Sequence, residues 1–412
     1  MLGARDRRPI FVHASQRSGS TYFFSVLRRM EPLLCFDEAI TDSFTYYGKN
    51  DIARRVRGGK WNASHYFLKH YSQAEFIDAW DHVMHLYPAA PAFRDYVPRD
   101  GILSSELERY VAALIEYAWA KGKRATLCEI FSRGRVGVLR QTFGGYHIAQ
   151  YRDPLSQFGS SFRALQELGQ WTFILIPLQE LGPSGQNPFY SLIPEAWRVP
   201  VLPWPADDRA QRWASTEEYI SMILSLRPDA LERIFRWHLL SWFFNNLAAI
   251  IYSDSILDID RAHDDLEYRA STREALHSEI GVPPDFTDIA KFSRHYRFEG
   301  VDIARICNEI IVSVRAAQKN SQLDAVIRSL GRGPATFSAT TAINVLAEKI
   351  RVAITDMSSA DTYAYVSRDD WKNIVQKNRH LWAHRQLRTA MRHLYPFALP
   401  VVQAARTIGI MR

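Results

Sequence analysis

Arg17-Ser18-Gly19-Ser20-Thr21-Tyr22 is where this sequence concentrates groups able to hold an anion. The stretch follows a short apolar run, Ile10–Ala14, and leads into Tyr22–Met30, whose apolar residues recur at helical spacing. The parse is strand, tight turn, helix. That order gathers backbone N–H groups at a helix N-terminus, where the helix dipole favours negative charge. Gly19 lets the chain turn closely, Ser20 and Thr21 offer hydroxyls in the first helical turn, and Arg17 adds a fixed positive charge. A Ser-Gly-Ser-Thr string also starts helices that bind nothing, as an ordinary N-cap. It is not the nucleotide loop GxxxxGK[ST], a string the chain lacks, which argues against an NTPase.

Following a short strand, Arg-Ser-Gly-Ser-Thr-Tyr resembles the 5′-phosphosulfate loop of sulfotransferases that use 3′-phosphoadenosine-5′-phosphosulfate (PAPS). It has the Arg-first form of their carbohydrate-directed and bacterial members. The family has a second element, a strand ending in Arg with Ser eight positions later, and Tyr151-Arg152-Asp153-Pro154-Leu155-Ser156-Gln157-Phe158-Gly159-Ser160 matches it. An Arg at a strand's carboxyl end can grip a phosphate by two parallel hydrogen bonds, and Ser160, about two turns into the next helix, can donate to the same group. Arg-Asp-Pro alone is a common surface loop; two matches in the right order carry the resemblance. It covers about residues 8–30 and 125–165, and more loosely 231–270.

The resemblance implies transfer of a sulfuryl group from PAPS to a hydroxyl, with PAPS as co-substrate, PAP as product and no metal. Arg17 would neutralise charge on the bridging and sulfuryl oxygens, Ser18, Gly19, Ser20 and Thr21 would hold the 5′-phosphate, and Tyr22 would stack on adenine. Arg152 and Ser160 would bind the 3′-phosphate. Such transfer rests on positioning and on stabilising charge. The acceptor hydroxyl needs a base. Relatives of this type place a Glu shortly after the first helix, which selects Glu38 in Leu34-Cys35-Phe36-Asp37-Glu38-Ala39; here Ala39 replaces the family's proline, and Asp37 is an adjacent competitor. His65, His70 and His147 are the alternatives; Arg133 and Arg135 follow the candidate strand 125–131, where they could face the site but read better as structural. Gly-Arg-Gly at 331–333 is faintly like the PAPS-closing Arg-Lys-Gly of cytosolic members, but reads better as a helix-ending turn.

The elements that must position these groups alternate as βαβ units do. ATLCEIF (125–131) and YHIAQY (146–151) read as strands with the helix-like RVGVLRQTF between them; LERIFRWHLLSWFFNNLAAIIY (231–252) reads as a helix followed by the strand ILDID (256–260). The expected fold is α/β, a P-loop-type parallel sheet flanked by helices, occupying residues 1–300. Within it, about 48–120 reads as a helical insertion and about 165–215 as an irregular, Pro- and Trp-rich excursion on the acceptor side. Residues 301–412 read as a helical C-terminal extension.

Bulk properties narrow the alternatives. The chain has 412 residues, 47% hydrophobic and 23% charged, a globular composition. A net charge of +7 without a module of clustered Lys/Arg and aromatics argues against nucleic acid as partner. Cys35, Cys128 and Cys307 form no metal-ligand spacing. With neither a leader-like segment nor a 20-residue apolar run, the sequence reads as cytoplasmic. Tyr46, Tyr47, Trp61, Trp171, Tyr190, Trp197 and Trp204 crowd the two insertions, and aromatic faces suit sugars. The expected acceptor is a carbohydrate or glycolipid hydroxyl, of which a Nod-factor-like lipo-oligosaccharide is one. The tail from 377 to 412 is basic and amphipathic up to Pro396 and has no acidic residue, a pattern for a packing helix or for peripheral contact with an anionic membrane. The competing classes are a P-loop kinase or NTPase-like phosphotransferase, with ILDID imitating a metal-binding strand, and a non-catalytic anion-binding protein.

Overall fold

The computed structural model describes residues 8–41, 44, 48–58, 73–88, 96–98, 101–170, 172–181, 187–198, 229–289, 296–331, 333–359, 364–374 and 376. Strands β1 (Ile10–His13), β2 (Leu33–Asp37), β3 (Arg124–Glu129), β4 (Tyr146–Tyr151) and β5 (Ser255–Asp258) make one all-parallel sheet in the order β2-β3-β1-β4-β5. The strands are apolar on both faces because helices cover both. Ile10 and Val12 of β1 pack with Phe23, Phe24 and Leu27 of helix α1 (Ser20–Arg28). Phe11, one residue out of phase, points to the opposite layer.

Helices α2 (Lys49–Gly58), α3 (Glu75–Val83) and α4 (Ser105–Ala120) lie between β2 and β3. α5 (Val136–Phe143) connects β3 to β4, and α6 (Pro154–Leu168) and α7 (Thr172–Leu181) follow β4. α8 (Ala230–Tyr252) is apolar around nearly its whole circumference and therefore buried along nearly its whole length. After β5 come α9 (Ile259–Asp264) and α10 (Leu266–Ile280), then strand β6 (Tyr296–Phe298) and helices α11 (Ile303–Lys319), α12 (Gln322–Leu330) and α13 (Ala339–Ser359). Strand β7 (Ala364–Val366) pairs parallel with β6, and residues 368–374 follow it as a helical segment that packs Trp371 on the core.

One apolar cluster runs from Tyr96 and β4 through α8 to α11, α12, α13 and Trp371. The Tyr252 hydroxyl at the end of α8 donates to the Ile327 carbonyl at 2.8 Å, and Thr336 N–H donates to Ile251 O at 2.8 Å. Among the described residues no helix is long and apolar enough to cross a membrane.

The structure departs from the sequence-based expectations in four places. Leu33–Asp37 is a full strand, because it pairs with β3 along its length. Residues 172–181 are helical rather than irregular, even with Pro177 inside; Ile174, Leu175, Leu178 and Leu181 recur at helical spacing and are buried. The ILDID strand ends at Asp258, whose side chain caps Arg261 N–H and starts a helix, so Asp260 is helical. The short β6–β7 pair carried no legible signal. Tyr46, Tyr47, Trp61, His65, His70, Trp171, Trp204, Arg332 and the tail from 377 lie outside the described residues.

Candidate anion site at the carboxyl ends of β1 and β4

From β1 the chain runs outward past β3 to the β2 edge, whereas from β4 it runs to the β5 edge on the other side. The carboxyl ends of β1 and β4 therefore flank a topological switch point, the place where open α/β sheets bind ligands. The Arg17 turn and the Arg152 turn leave the sheet at these two ends.

The first turn is built by backbone geometry. Arg17 has φ 63° and Gly19 φ 84°, both left-handed. A Cβ on Gly19 would also stand 3.3 Å from Ile259 Cγ2, so both conformation and space favour glycine there. Gly19 precedes α1 without capping it by a side chain, so the N–H groups of the first helical turn keep their capacity for a ligand. Ser20, Thr21 and Tyr22 open that helix and are partly exposed. Ser18 is used differently from the expectation: its buried hydroxyl donates to Ser15 O at 2.7 Å and accepts from Ser15 N–H at 3.3 Å, closing the turn on itself. Gln150 and Gln157, which sequence reasoning missed, brace the turn from β4 and α6. Gln150 Nε2 donates to Ser18 O at 3.1 Å, and Gln157 Nε2 donates to Ser15 Oγ at 2.8 Å and Gln16 O at 2.6 Å.

The two arginine segments meet. Arg17 Nε donates to Ser160 Oγ at 2.9 Å across 143 residues of sequence, and its guanidinium lies 5.1 Å from the Phe173 ring centroid. Arg152 Nη1 donates to Arg17 O at 3.4 Å, and Trp242 Nε1 holds the Arg152 carbonyl at 3.1 Å. Gln157, Ser160 and Arg163 recur every three residues on α6 and so share the side that meets the turn. Burial, with the nearby charges of Arg152 and Arg163, pulls the Arg17 guanidinium down to about 10. Arg163 is exposed and pairs with Glu167 at 2.8 Å, so it is the half-buried Arg17 guanidinium whose charge a bound anion would offset. Tyr22 turns away: its hydroxyl donates to Asp288 Oδ1 at 3.2 Å, beside the Arg29–Asp288 ion pair at 2.9 Å.

Glu38 follows β2 directly, with φ 52° and its N–H donating to Cys128 O at 2.8 Å. Burial lifts its carboxyl to about 7. Its neighbour is Glu129, the last residue of β3, which sequence reasoning assigned no role although it is a carboxylate closing an apolar strand. Glu129 accepts Ala39 N–H at 3.0 Å and Ile40 N–H at 2.9 Å, and thereby fixes the chain on the far side of Glu38. Burial and the Glu38 charge raise Glu129 to about 8, against the pull of those two N–H groups. Two strand spacings, roughly 10 Å, separate the end of β2 from the end of β1.

His147 stands apart from this edge. It is the second residue of β4, fully buried, with Nδ1 2.9 Å from His13 Nε2 and Nε2 2.8 Å from Gly144 O. Burial lowers it to about 4, and His13, 2.7 Å from Ser132 Oγ, is lowered by burial and by His147. Arg133 is committed to a buried pair with Glu180, both oxygens 3.0 Å from Nη2, and Ser241 and Asn245 complete that carboxylate's shell. Arg135 Nη1 donates to Phe131 O at 2.7 Å. Gly331 ends α12 and packs backbone to backbone on Gly137, where an added Cβ would meet Cα at 3.0 Å. Among the described residues no group of three His, Cys, Asp or Glu side chains is arranged to hold a metal ion.

No protein-family model, curated protein or solved structure matches this chain.

Proposed function

We propose that the protein is a PAPS-dependent sulfotransferase, with the donor held between the Arg17 and Arg152 turns. The observation that carries this reading is the 2.9 Å contact between Arg17 and Ser160, which joins two segments singled out separately in the sequence. The sheet order β2-β3-β1-β4-β5, with an uncapped helix after β1, is that of P-loop-type sheets and supports the finer fold assignment. The residues fit the donor: the half-buried Arg17 guanidinium beside Arg152, and helical N–H groups of Ser20, Thr21 and Tyr22, suit a molecule with phosphates at both ends. Tyr22 stays in the reading as a wall of that space rather than a stacking ring, since its hydroxyl is turned to Asp288.

In the reaction, an acceptor hydroxyl oxygen bonds to the sulfur of PAPS as the sulfur–oxygen bond to the 5′-phosphate breaks, and PAP leaves. Glu38 takes the hydroxyl proton; a carboxyl lifted to about 7 is basic enough for that near neutral pH. Arg17 offsets charge on the oxygens of the transferring group. The acceptor class carried forward is a carbohydrate or glycolipid hydroxyl; of the aromatics weighed for it, Tyr190 and Trp197 pack on the core beside α8, with the Trp197 ring 4.5 Å under the Arg236 guanidinium. Thermal unfolding in PAP, PAPS and Mg-ATP tests the reading. At a hundred times its Kd a ligand adds about 2.7 kcal/mol. Stabilisation by PAP and PAPS and not by Mg-ATP supports it; Mg-ATP alone raising Tm points to a phosphotransferase, and no shift with any of the three refutes it.

A further inference from the structure

Lys349 is a lysine on an apolar helix face. On α13 it shares a side with Ala342, Leu346 and Ala353, all buried, and its own side chain is only 10% exposed. Its ammonium stands 2.7 Å from Asp258 Oδ1 and 3.1 Å from Asp260 Oδ2. Asp260 Oδ2 also accepts Asp153 N–H at 2.6 Å, while its Oδ1 lies 3.5 Å from Arg152 Nη2. Asp258 Oδ1 in turn accepts Arg261 N–H at 3.1 Å. Of the other carboxylates nearby, Asp153 is engaged by Leu155 N–H at 2.7 Å and by the Ser156 hydroxyl at 2.6 Å.

Two buried carboxylates thus face two buried cations, and the four charges balance. The Arg152–Asp260 separation of 3.5 Å is well outside the roughly 2.7–2.9 Å of a tight charge-assisted pair. The aspartates make their close contacts with Lys349 instead. Without the ammonium, two uncompensated buried carboxylates would draw on Arg152 alone, because an unpaired buried charge is the costliest arrangement in this space.

We propose that Lys349 is a positioning residue of the anion site: by occupying Asp258 and Asp260 it keeps Arg152 directed at the switch point, so that α13 is a working part of the donor site. This rests on reading Arg152 as an anion ligand. The Asp258 and Asp260 charges hold the Lys349 ammonium above its ordinary value against burial, so it stays charged through neutral pH.

The test is a cycle of Lys349→Met, Asp260→Asn and the double variant, read by calorimetric PAP affinity and by urea midpoint. Lys349→Met keeps the apolar stem and should weaken PAP at least tenfold, although the side chain is buried behind Arg152. The double variant restores the charge balance and should recover most of that affinity. Asp260→Asn alone should bind PAP more tightly than the parent, which keeps the inference testable even if Lys349→Met does not fold. A folded Lys349→Met with unchanged PAP affinity but a lower urea midpoint would make Lys349 a stability contact only and overturn the inference, as would a double variant no better than Lys349→Met. Should the parent not bind PAP, the donor assignment fails separately, and the same cycle is read with inorganic pyrophosphate. Tenfold weakening and rescue there uphold the positioning role, and no pyrophosphate binding by the parent overturns it.

Discussion

Arg152 and Arg17 separate by what each loses on truncation. Arg152 is buried, and Arg152→Ala should weaken PAP by about 2–4 kcal/mol in calorimetry, the loss of a charge-assisted partner to a buried phosphate. Arg17→Ala should lower turnover more than PAP affinity, because its charge counts most as the sulfuryl group transfers; equal losses would reduce it to an anchor. Glu38→Gln should keep PAP binding and cost roughly 10²-fold or more in turnover. In the parent protein kcat/KM for the proposed transfer should rise with pH and level off above about 7, because the carboxyl must lose its proton to act as base and burial holds that loss near 7. A rate independent of pH between 5 and 8 would move the role away from Glu38. That the Arg17 and Arg152 segments come together was legible because arginine and a glycine turn mark themselves by residue type and spacing. Gln150, Gln157, Glu129 and Lys349 were not, since each acts through a partner remote in sequence that only the fold brings near.

At the scale of elements, strands and helices with a continuous apolar signature declared themselves, and those defined by their neighbours did not. YHIAQY is a strand in the structure with the very limits its pattern gives, bounded by Gly145 and by Arg152-Asp153-Pro154. Leu33–Asp37 hid because five residues after a helix can be read as a loop until β3 is there to pair with them. The α7 helix hid because Pro177 interrupts its apolar run, and a proline ordinarily ends or kinks a helix. The turn before α1 makes a direct prediction. Gly19→Ala puts a Cβ into a left-handed position and 3.3 Å from Ile259 Cγ2, so urea unfolding should show a loss of about 1–2 kcal/mol. PAP affinity should fall with it, as the strain is relieved by moving the helix start away from the ligand. An unchanged midpoint would mean that the turn relaxes freely.

Across the whole molecule, buried titratable groups of opposite kinds set a stability optimum. Burial holds His147 near 4 and His238 near 3, and His13 well below its ordinary value. Their folded values lie below the unfolded 6.5, so the unfolded chain takes up protons first; the stability they carry is complete above that point and is lost as pH falls through 6.5 toward 4. Glu38 and Glu129 work in the other direction. Their folded values, about 7 and about 8, lie above the unfolded 4.5, so what they contribute is complete below 4.5 and is lost as pH rises through 7 and 8. Near pH 5.5 the three histidines release more protons on folding than the two carboxyls retain, and stability climbs with pH; near pH 7 the balance is reversed. Urea midpoints should therefore peak between about pH 6 and 7 and fall on both sides. Glu129→Gln should flatten the alkaline limb, steepen the acid limb and move the peak to higher pH, since it removes a carboxyl that takes up a proton on folding between about pH 5 and 8 and touches no histidine. A parent midpoint that still climbs from pH 7 to 8 would show that the pair at the end of β2 and β3 is already ionised in the folded protein below pH 7, and the rise of kcat/KM toward pH 7 expected for Glu38 would then move to lower pH.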